Sequence, residues 1–414
     1  MSTDPATRPA MISLDEAVER ILARVAAPGP AAAEQVSTFD ALGRVLAADV
    51  RSLIEVPPAD NSAMDGYAVR LADLPRAGIA LPVSQRIPAG VVGAPLDAGT
   101  AARIFTGAQV PPGADAIVMQ EHCTVVDAGV RIDTLPAPGE WVRRRGEDVA
   151  RDAVVLAAGR RLSPQALGMA ASVGAATLSV ARRPRVALFS TGDELAMPGE
   201  PLKPGAIYNS NRFTLRALIE SLGGVHEDLG IVPDRLDATR DALRRAAESA
   251  DLIVTCGGVS VGEEDHLKPA VEREGRLDLW QIAMKPGKPL AFGEVFRRDG
   301  SSAWFVGLPG NPVSSFVTFL VVVRPMLLRL QGASPAAPAA MPMRADFAWP
   351  KADRRREFLR VRHNGAGGLD LFAHQGSNVL TSTIWGDGLV DNPGGKTIAP
   401  GDTVSYRSFR ELLG

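Results

Sequence analysis

The segment Val186-Ala187-Leu188-Phe189-Ser190-Thr191-Gly192-Asp193-Glu194 sets the architecture of the chain. Its first four residues are apolar at every position, as in a strand buried on both faces. The next five are small, polar or acidic, as in a loop that leaves a strand. The same alternation continues downstream. Leu215, Leu218, Ile219 and Leu222 recur at helical spacing, and Gly223-Gly224 stops that helix. Residues 229–232 read as a strand, 236–248 as a helix and 252–255 as a strand. Further strands fall at 279–284, 289–292 and 304–306, and a long apolar helix at 312–330 closes the unit. Strands alternating with helices predict a parallel sheet with helices on both faces, a three-layer α/β unit over residues 184–331.

Outward from this unit the texture changes. Upstream, residues 13–25 read as a helix, with Ser13 as cap, Glu16 as the capping-box acid and Leu14, Val18, Ile21, Leu22 and Val25 on one face. A second short helix is expected at 38–48, with Leu42, Val45 and Leu46 on one side. Residues 50–149 carry short β-type runs broken by Pro and Gly, such as Ala116-Ile117-Val118-Met119 and Val130-Arg131-Ile132. Helical character returns at Ser163-Pro164-Gln165-Ala166-Leu167, and this helix is expected to rejoin the N-terminal helices. Downstream, residues 332–342 are an Ala/Pro/Ser linker, and the remainder reads as short strands with Gly turns. The expected class is multidomain α/β plus β. Residues 1–50 and 150–183 form an interrupted N-terminal unit, 51–149 a β-rich insertion, 184–331 the α/β unit and 332–414 a C-terminal β-barrel.

Bulk properties narrow the function. A chain of 414 residues needs more than one core. Its 46% hydrophobic and 22% charged residues are ordinary for a folded protein. A net charge of −2 argues against nucleic acid as a partner held by bulk electrostatics. The two cysteines, Cys123 and Cys256, exclude a disulfide framework and suit a reducing, cytoplasmic setting. Residues 1–11 lack the apolar core of a secretion signal. The apolar run at 316–323 is short for a bilayer, so no membrane association is expected.

Chemistry-bearing residues collect where an open α/β sheet binds ligands, beyond the C-terminal ends of its strands. After 186–189 come Ser190, Thr191, Gly192, Asp193 and Glu194. After 252–255 come Gly257, Gly258, Val259, Ser260 and Gly262, with Asp265 beyond. After 304–306 come Gly307-Leu308-Pro309-Gly310-Asn311-Pro312, running into a helix. Glycines allow close backbone approach, and a helix start offers N–H groups to anions. Lys285-Pro286-Gly287-Lys288-Pro289 adds two ammonium groups on a stiff turn, suited to phosphate or another oxyanion. Alone, each has a plain alternative: a turn, a helix cap or a solvated charge. Together they point to a phosphorylated ligand bridged by Mg²⁺, a cation that takes oxygen ligands. The insertion holds polar islands around Asp65, Thr106 and Asp148, for which a turn and a solvated charged edge are the alternatives. No paired-histidine site, nucleophile elbow or P-loop is present.

The blocks Asn61-Ser62-Ala63-Met64-Asp65-Gly66-Tyr67-Ala68, Arg143-Arg144-Arg145-Gly146-Glu147-Asp148, Ser190–Glu194, Gly257–Gly262 with Asp265 and Lys268, Lys285–Pro289 and Gly307–Pro312 occur together and in this order. In them the chain resembles the MoeA family of molybdopterin molybdenumtransferases, from about residue 13 to 407. That resemblance implies insertion of molybdate into adenylylated molybdopterin with release of AMP and dependence on Mg²⁺. It also implies four domains and an elongated homodimer, with the active site between the α/β unit of one subunit and the insertion of the other. Asp65, Asp148, Glu194, Asp265, Lys285 and Lys288 would be catalytic, with Glu194 and Asp265 holding the metal. Thr106, Ser190–Asp193, the 257–262 loop and Pro309–Pro312 would bind the pterin substrate. Contacts with the adenylyltransferase and with molybdoenzyme maturation factors are expected. Rival readings are a molybdopterin adenylyltransferase, for which the chain is too long, and a non-enzymatic scaffold. A tungstate-preferring relative stays open, since the two oxyanions match in size and charge.

Overall fold

The structure is a computed structural model and describes residues 11–26, 32–259, 266–334 and 340–413. Its centre is a six-stranded sheet of β1 (Arg185–Thr191), β2 (Val225–Val232), β3 (Leu252–Cys256), β4 (Gly275–Gln281), β5 (Pro289–Phe296) and β6 (Ser302–Leu308), in the order β2-β1-β3-β6-β5-β4. The first four in that order are mutually parallel. The expectation of a wholly parallel sheet fails at one edge, because β5 runs antiparallel to both neighbours. No helix intervenes between β4 and β5 or between β5 and β6, so the chain turns back directly.

Side-chain alternation divides the core into two layers. Val186 and Leu188 face one side with Leu252, Val254, Val306 and Leu308. Ala187 and Phe189 face the other with Ile253 and Phe305. Helix α1 (Leu14–Arg24), helix α3 (Ser210–Ser221) and a long helix, α6 (Pro312–Leu330), cover the first face. Helix α4 (Leu236–Ser249) and helix α5 (Leu267–Glu274) cover the second. α6 contains a π-helical segment at Phe319–Val323. It is long and apolar enough to cross a membrane, but 72% of that window is buried within the protein, as in a core helix.

Two N-terminal expectations change. α1 forms as read, with Ser13 Oγ accepting from the Glu16 N–H at 3.1 Å. It does not join the helix at 164–172, α2 (Pro164–Ser172). Leu14, Ala17, Ile21 and Val25 instead complete the α3–α6 layer. Each larger apolar side chain so buried contributes about 1.5–3 kcal/mol. The second expected helix is absent. A three-residue 3₁₀ turn, Thr38–Asp40, gives way to extended chain. Gly43 sits at φ +74°, and the Gly43 and Leu46 N–H groups donate across to Leu162 O and Arg160 O. Val45 and Leu46 are buried, while Leu42 stays exposed. What meets α2 is the Thr38–Asp40 turn and the strand Val154–Leu156, while the strand Ala33–Ser37 runs antiparallel to Thr177–Ala181.

The insertion holds a four-stranded sheet, ordered Val83–Ile87, Ala101–Ile104, Gly66–Val69, Ala116–Met119, and a three-stranded one. At the C-terminal end, Arg356–His363, Gly388–Asn392, Thr403–Ser408 and Met341–Arg344 run side by side, and the other edge of the first is paired by Met284–Lys285 and by Leu369–Leu371. A bridge between Ala345 and Leu369 closes the ring, giving the expected barrel.

Candidate active site

The chain leaves β1 through α3 on one face to reach β2, then returns through α4 on the opposite face to β3 on the other side of β1. The loops leaving β1 and β3 therefore diverge, opening a crevice at a topological switch point. Close approach at this crevice requires glycine. Gly257 sits at φ +97°, and a methyl group on it would lie 2.6 Å from Thr191 O. Its N–H donates to Leu308 O at 3.2 Å, which brings in the loop after β6. That loop enters α6 with Asn311 as cap and Pro312 in the first turn.

Buried polar atoms without partners gather at these strand ends. Ser190 Oγ, Thr191 Oγ1, Thr255 Oγ1 and Asn209 Nδ2 make no hydrogen bond among the described residues. Leaving such groups unpaired costs about 1–3 kcal/mol each, so their clustering marks a site with work beyond folding. Val259 differs from its expected role. Its side chain is buried in the second apolar layer and abuts Gly307, so only its main chain is left for a ligand.

Of the acids, Asp193 and Glu194 are exposed on the β1 loop. The Glu194 carboxylate lies over Gly192, where an added methyl would come within 2.5 Å of Oε2, and it has no hydrogen-bond partner among the described residues. Such a carboxylate beside orphaned hydroxyls fits Mg²⁺, which binds through one or two carboxylates plus substrate phosphates. Ser260, Gly262 and Asp265 lie outside the described residues. Among those described, no cluster of three or more metal-type side chains occurs.

The two lysines separate. β4 and β5 meet at the same end of the sheet as these loops, and the 282–288 turn joins them. Gly287 packs against α6, where a methyl would lie 2.4 Å from Thr318 Oγ1. Lys288 is exposed, with no ion pair among the described residues. Lys285 is committed to the barrel. Its Nζ donates to Glu357 Oε1 at 3.0 Å, lies 3.7 Å from Asp353 Oδ2 and sits over the Trp349 ring. The sequence assigns both lysines to phosphate or molybdate oxygens, and in the structure Lys285 already has carboxylate partners.

In the insertion, Asp65 Oδ1 accepts from both the N–H (2.7 Å) and Oγ1 (2.8 Å) of Thr106. These bonds, the backbone one foremost, hold its carboxyl below the ordinary range. Asp148 is exposed, and its N–H is tied to Val56 O. Among the described residues, no hydrogen bond or ion pair joins Asp65, Thr106 or Asp148 to the α/β loops.

Sequence reasoning passed over Asn211, whose amide touches the end of β3 and the loop after β6. It also missed Arg360, 1% exposed, which donates to Ser382 Oγ, Phe358 O and Gly376 O. Burial pushes that guanidinium down to about 10. The loop it braces reaches α6, where Val313 N donates to Ser377 O at 2.9 Å. The doubled Asn209-Ser210-Asn211 at a helix start was the available signal for the first. A barrel arginine carries no local signal.

Comparison with known proteins completes the description. Residues 12–174 match the family model described as MoeA N-terminal region (domain I and II). Residues 187–329 match a probable molybdopterin binding domain, and 342–409 the MoeA C-terminal region (domain IV). A molybdopterin molybdenumtransferase of Haemophilus influenzae is 39% identical over 98% of this chain and 100% of its own length. One from Bacillus subtilis is 32% identical over 97% and 95%. The crystal structure of a molybdopterin biosynthesis MoeA protein from Pyrococcus horikoshii superposes with TM-score 0.84 at 27% identity, covering 97% of this chain and all of that one.

Proposed function

Because the chain belongs to the MoeA family, we propose that it is a molybdopterin molybdenumtransferase that inserts molybdate into adenylylated molybdopterin and releases AMP. The observation that carries this reading is the crevice between the β1 and β3 loops, floored by Gly257 and by the orphaned hydroxyls of Ser190, Thr191 and Thr255. Glycine backbone can approach a pyrophosphate closely, and the hydroxyls can donate to its oxygens. The loop Pro309–Pro312 lies beside them and completes the pterin contacts in this reading. Lys288, exposed and without an acid partner among the described residues, is the better placed lysine for an oxyanion, molybdate or phosphate. Lys285 acts by holding its turn against the barrel.

Glu194, with Asp265, would hold Mg²⁺, which when bound screens the charge developing on phosphate oxygens. Asp65, fixed by Thr106, and Asp148 would act on the partner subunit's crevice in a homodimer. This assigns a use to two acids that, among the described residues, make no polar contact with their own α/β loops. The chain is read as four units, 1–50 with 150–183, 51–149, 184–331 and 332–414, with α1 of the first packed on the third. A cytoplasmic setting and contacts with the adenylyltransferase and with maturation factors belong to the same proposal.

The test is direct. Purified protein should release AMP from adenylylated molybdopterin only when molybdate is added. AMP release independent of molybdate, or none at all with Mg²⁺ present, would overturn the reading.

A further inference from the structure

The crevice is assembled at three strand ends, and one side chain ties α3 to the end of β3 and to the loop after β6. Asn211, in the first turn of α3, donates from Nδ2 to Gly310 O at 2.6 Å and to Cys256 Sγ at 3.0 Å. An amide nitrogen carries two hydrogens, so both are used. Gly310 is on the loop after β6, Cys256 ends β3, and α3 follows the β1 loop. Cys256 Sγ also lies 3.4 Å from Pro309 O and from Ser315 Oγ. Capping of α3 is not Asn211's task, because Asn209 Oδ1 accepts from the Arg212 N–H. Its amide is therefore left to serve the loops.

We propose that Asn211 is a positioning residue that clips the Pro309–Pro312 loop onto the end of β3 and so holds the crevice in its ligand-binding shape. Cys256 is the buried seat of this clip. It is 3% exposed, and burial pushes its thiol up, so in the closed arrangement it is slow to alkylate. Opening the loop would uncover it. The thiol thus reports the clip independently of catalysis. The role in turnover rests on reading this edge as the pterin site; the clip itself does not.

The experiment uses the full chain with Cys123→Ser, which leaves Cys256 as the single thiol. Asn211→Leu keeps the side-chain size and removes both donors. Iodoacetamide labelling of Cys256 should then speed by about tenfold or more. The KM for adenylylated molybdopterin should rise about tenfold, the loss expected from one hydrogen bond of about 1.4 kcal/mol, while kcat changes by less than about threefold. Asn211→Gln, which retains the amide, should recover part of both effects. Ser315→Ala, which touches Cys256 but leaves the clip in place, should keep the parental KM. Asn211→Ala serves if the leucine variant does not fold. Unchanged labelling in the Asn211 variants would overturn the clip. Equal KM changes in Ser315→Ala would overturn it too, since any packing loss would then suffice. A parent protein that releases no AMP would sink the functional reading alone, and the labelling rates would still decide the clip.

Discussion

The lysines show how context assigns work to residues of one type. Glu357 is almost wholly buried and is held by the Lys285 ammonium and the Trp349 indole N–H. Lys285→Met removes the cation and leaves the carboxylate behind, so the protein should lose about 1–3 kcal/mol in denaturant titration, discounted because Lys285 is itself part-exposed. Lys288→Met should stay within about 0.5 kcal/mol of the parent. It should instead raise the KM for molybdate or weaken substrate binding. Equal stability loss in both would refute the division. Asp65 offers a pH test. Its carboxyl is depressed by Thr106, so that contribution to stability is full above the unfolded value near pH 3.9 and is lost as pH falls through the lower folded value. Thr106→Val removes the hydroxyl bond and keeps the backbone one. The Asp65 pKa, followed by carboxyl NMR, should rise part of the way toward the ordinary range. Both lysines and Asp65 were legible as candidates from their motif blocks. That Lys285 has acid partners was not, because Glu357 is 72 positions away.

At the scale of elements, the site depends on loops packed backbone to backbone. Gly257→Ala forces a side chain at φ +97° against Thr191 O. A strained backbone of this kind costs about 1–3 kcal/mol, and the β1 and β3 loops must separate to relieve it. Pterin binding measured by fluorescence should fall in this variant while the far-UV circular dichroism stays parental. Parental affinity would mean that the loops do not need this contact. The strand and helix pattern of residues 184–330 was readable because long apolar runs have one dominant period each. The reading failed at 38–48, where Leu42, Val45 and Leu46 mimic a helical face. Gly43 and strand partners more than a hundred residues away decide for extended chain there.

For the whole molecule, the proposal that Asp65 and Asp148 serve the partner's crevice makes a sharp prediction. Asp65→Asn and Glu194→Gln should each abolish most activity without loss of folding or of dimerisation, followed by light scattering. Mixed and re-equilibrated, the two inactive proteins should regain activity, because a mixed dimer contains one crevice with neither change. No recovery on mixing, or a fully active monomer, would place both halves of the site within one subunit.

The sequence by itself determined the α/β class, the β insertion and the barrel, together with the loops that carry the glycines and acids. Local period and turn chemistry write these down residue by residue. Tertiary structure alone decided which layer α1 covers, which way β5 runs, which lysine has no acid partner among the described residues and that Asn211 joins α3 to the end of β3 and to the loop after β6. Those outcomes are contacts between residues far apart in the chain. Their energy comes from burial and from partners that no window of neighbouring residues contains.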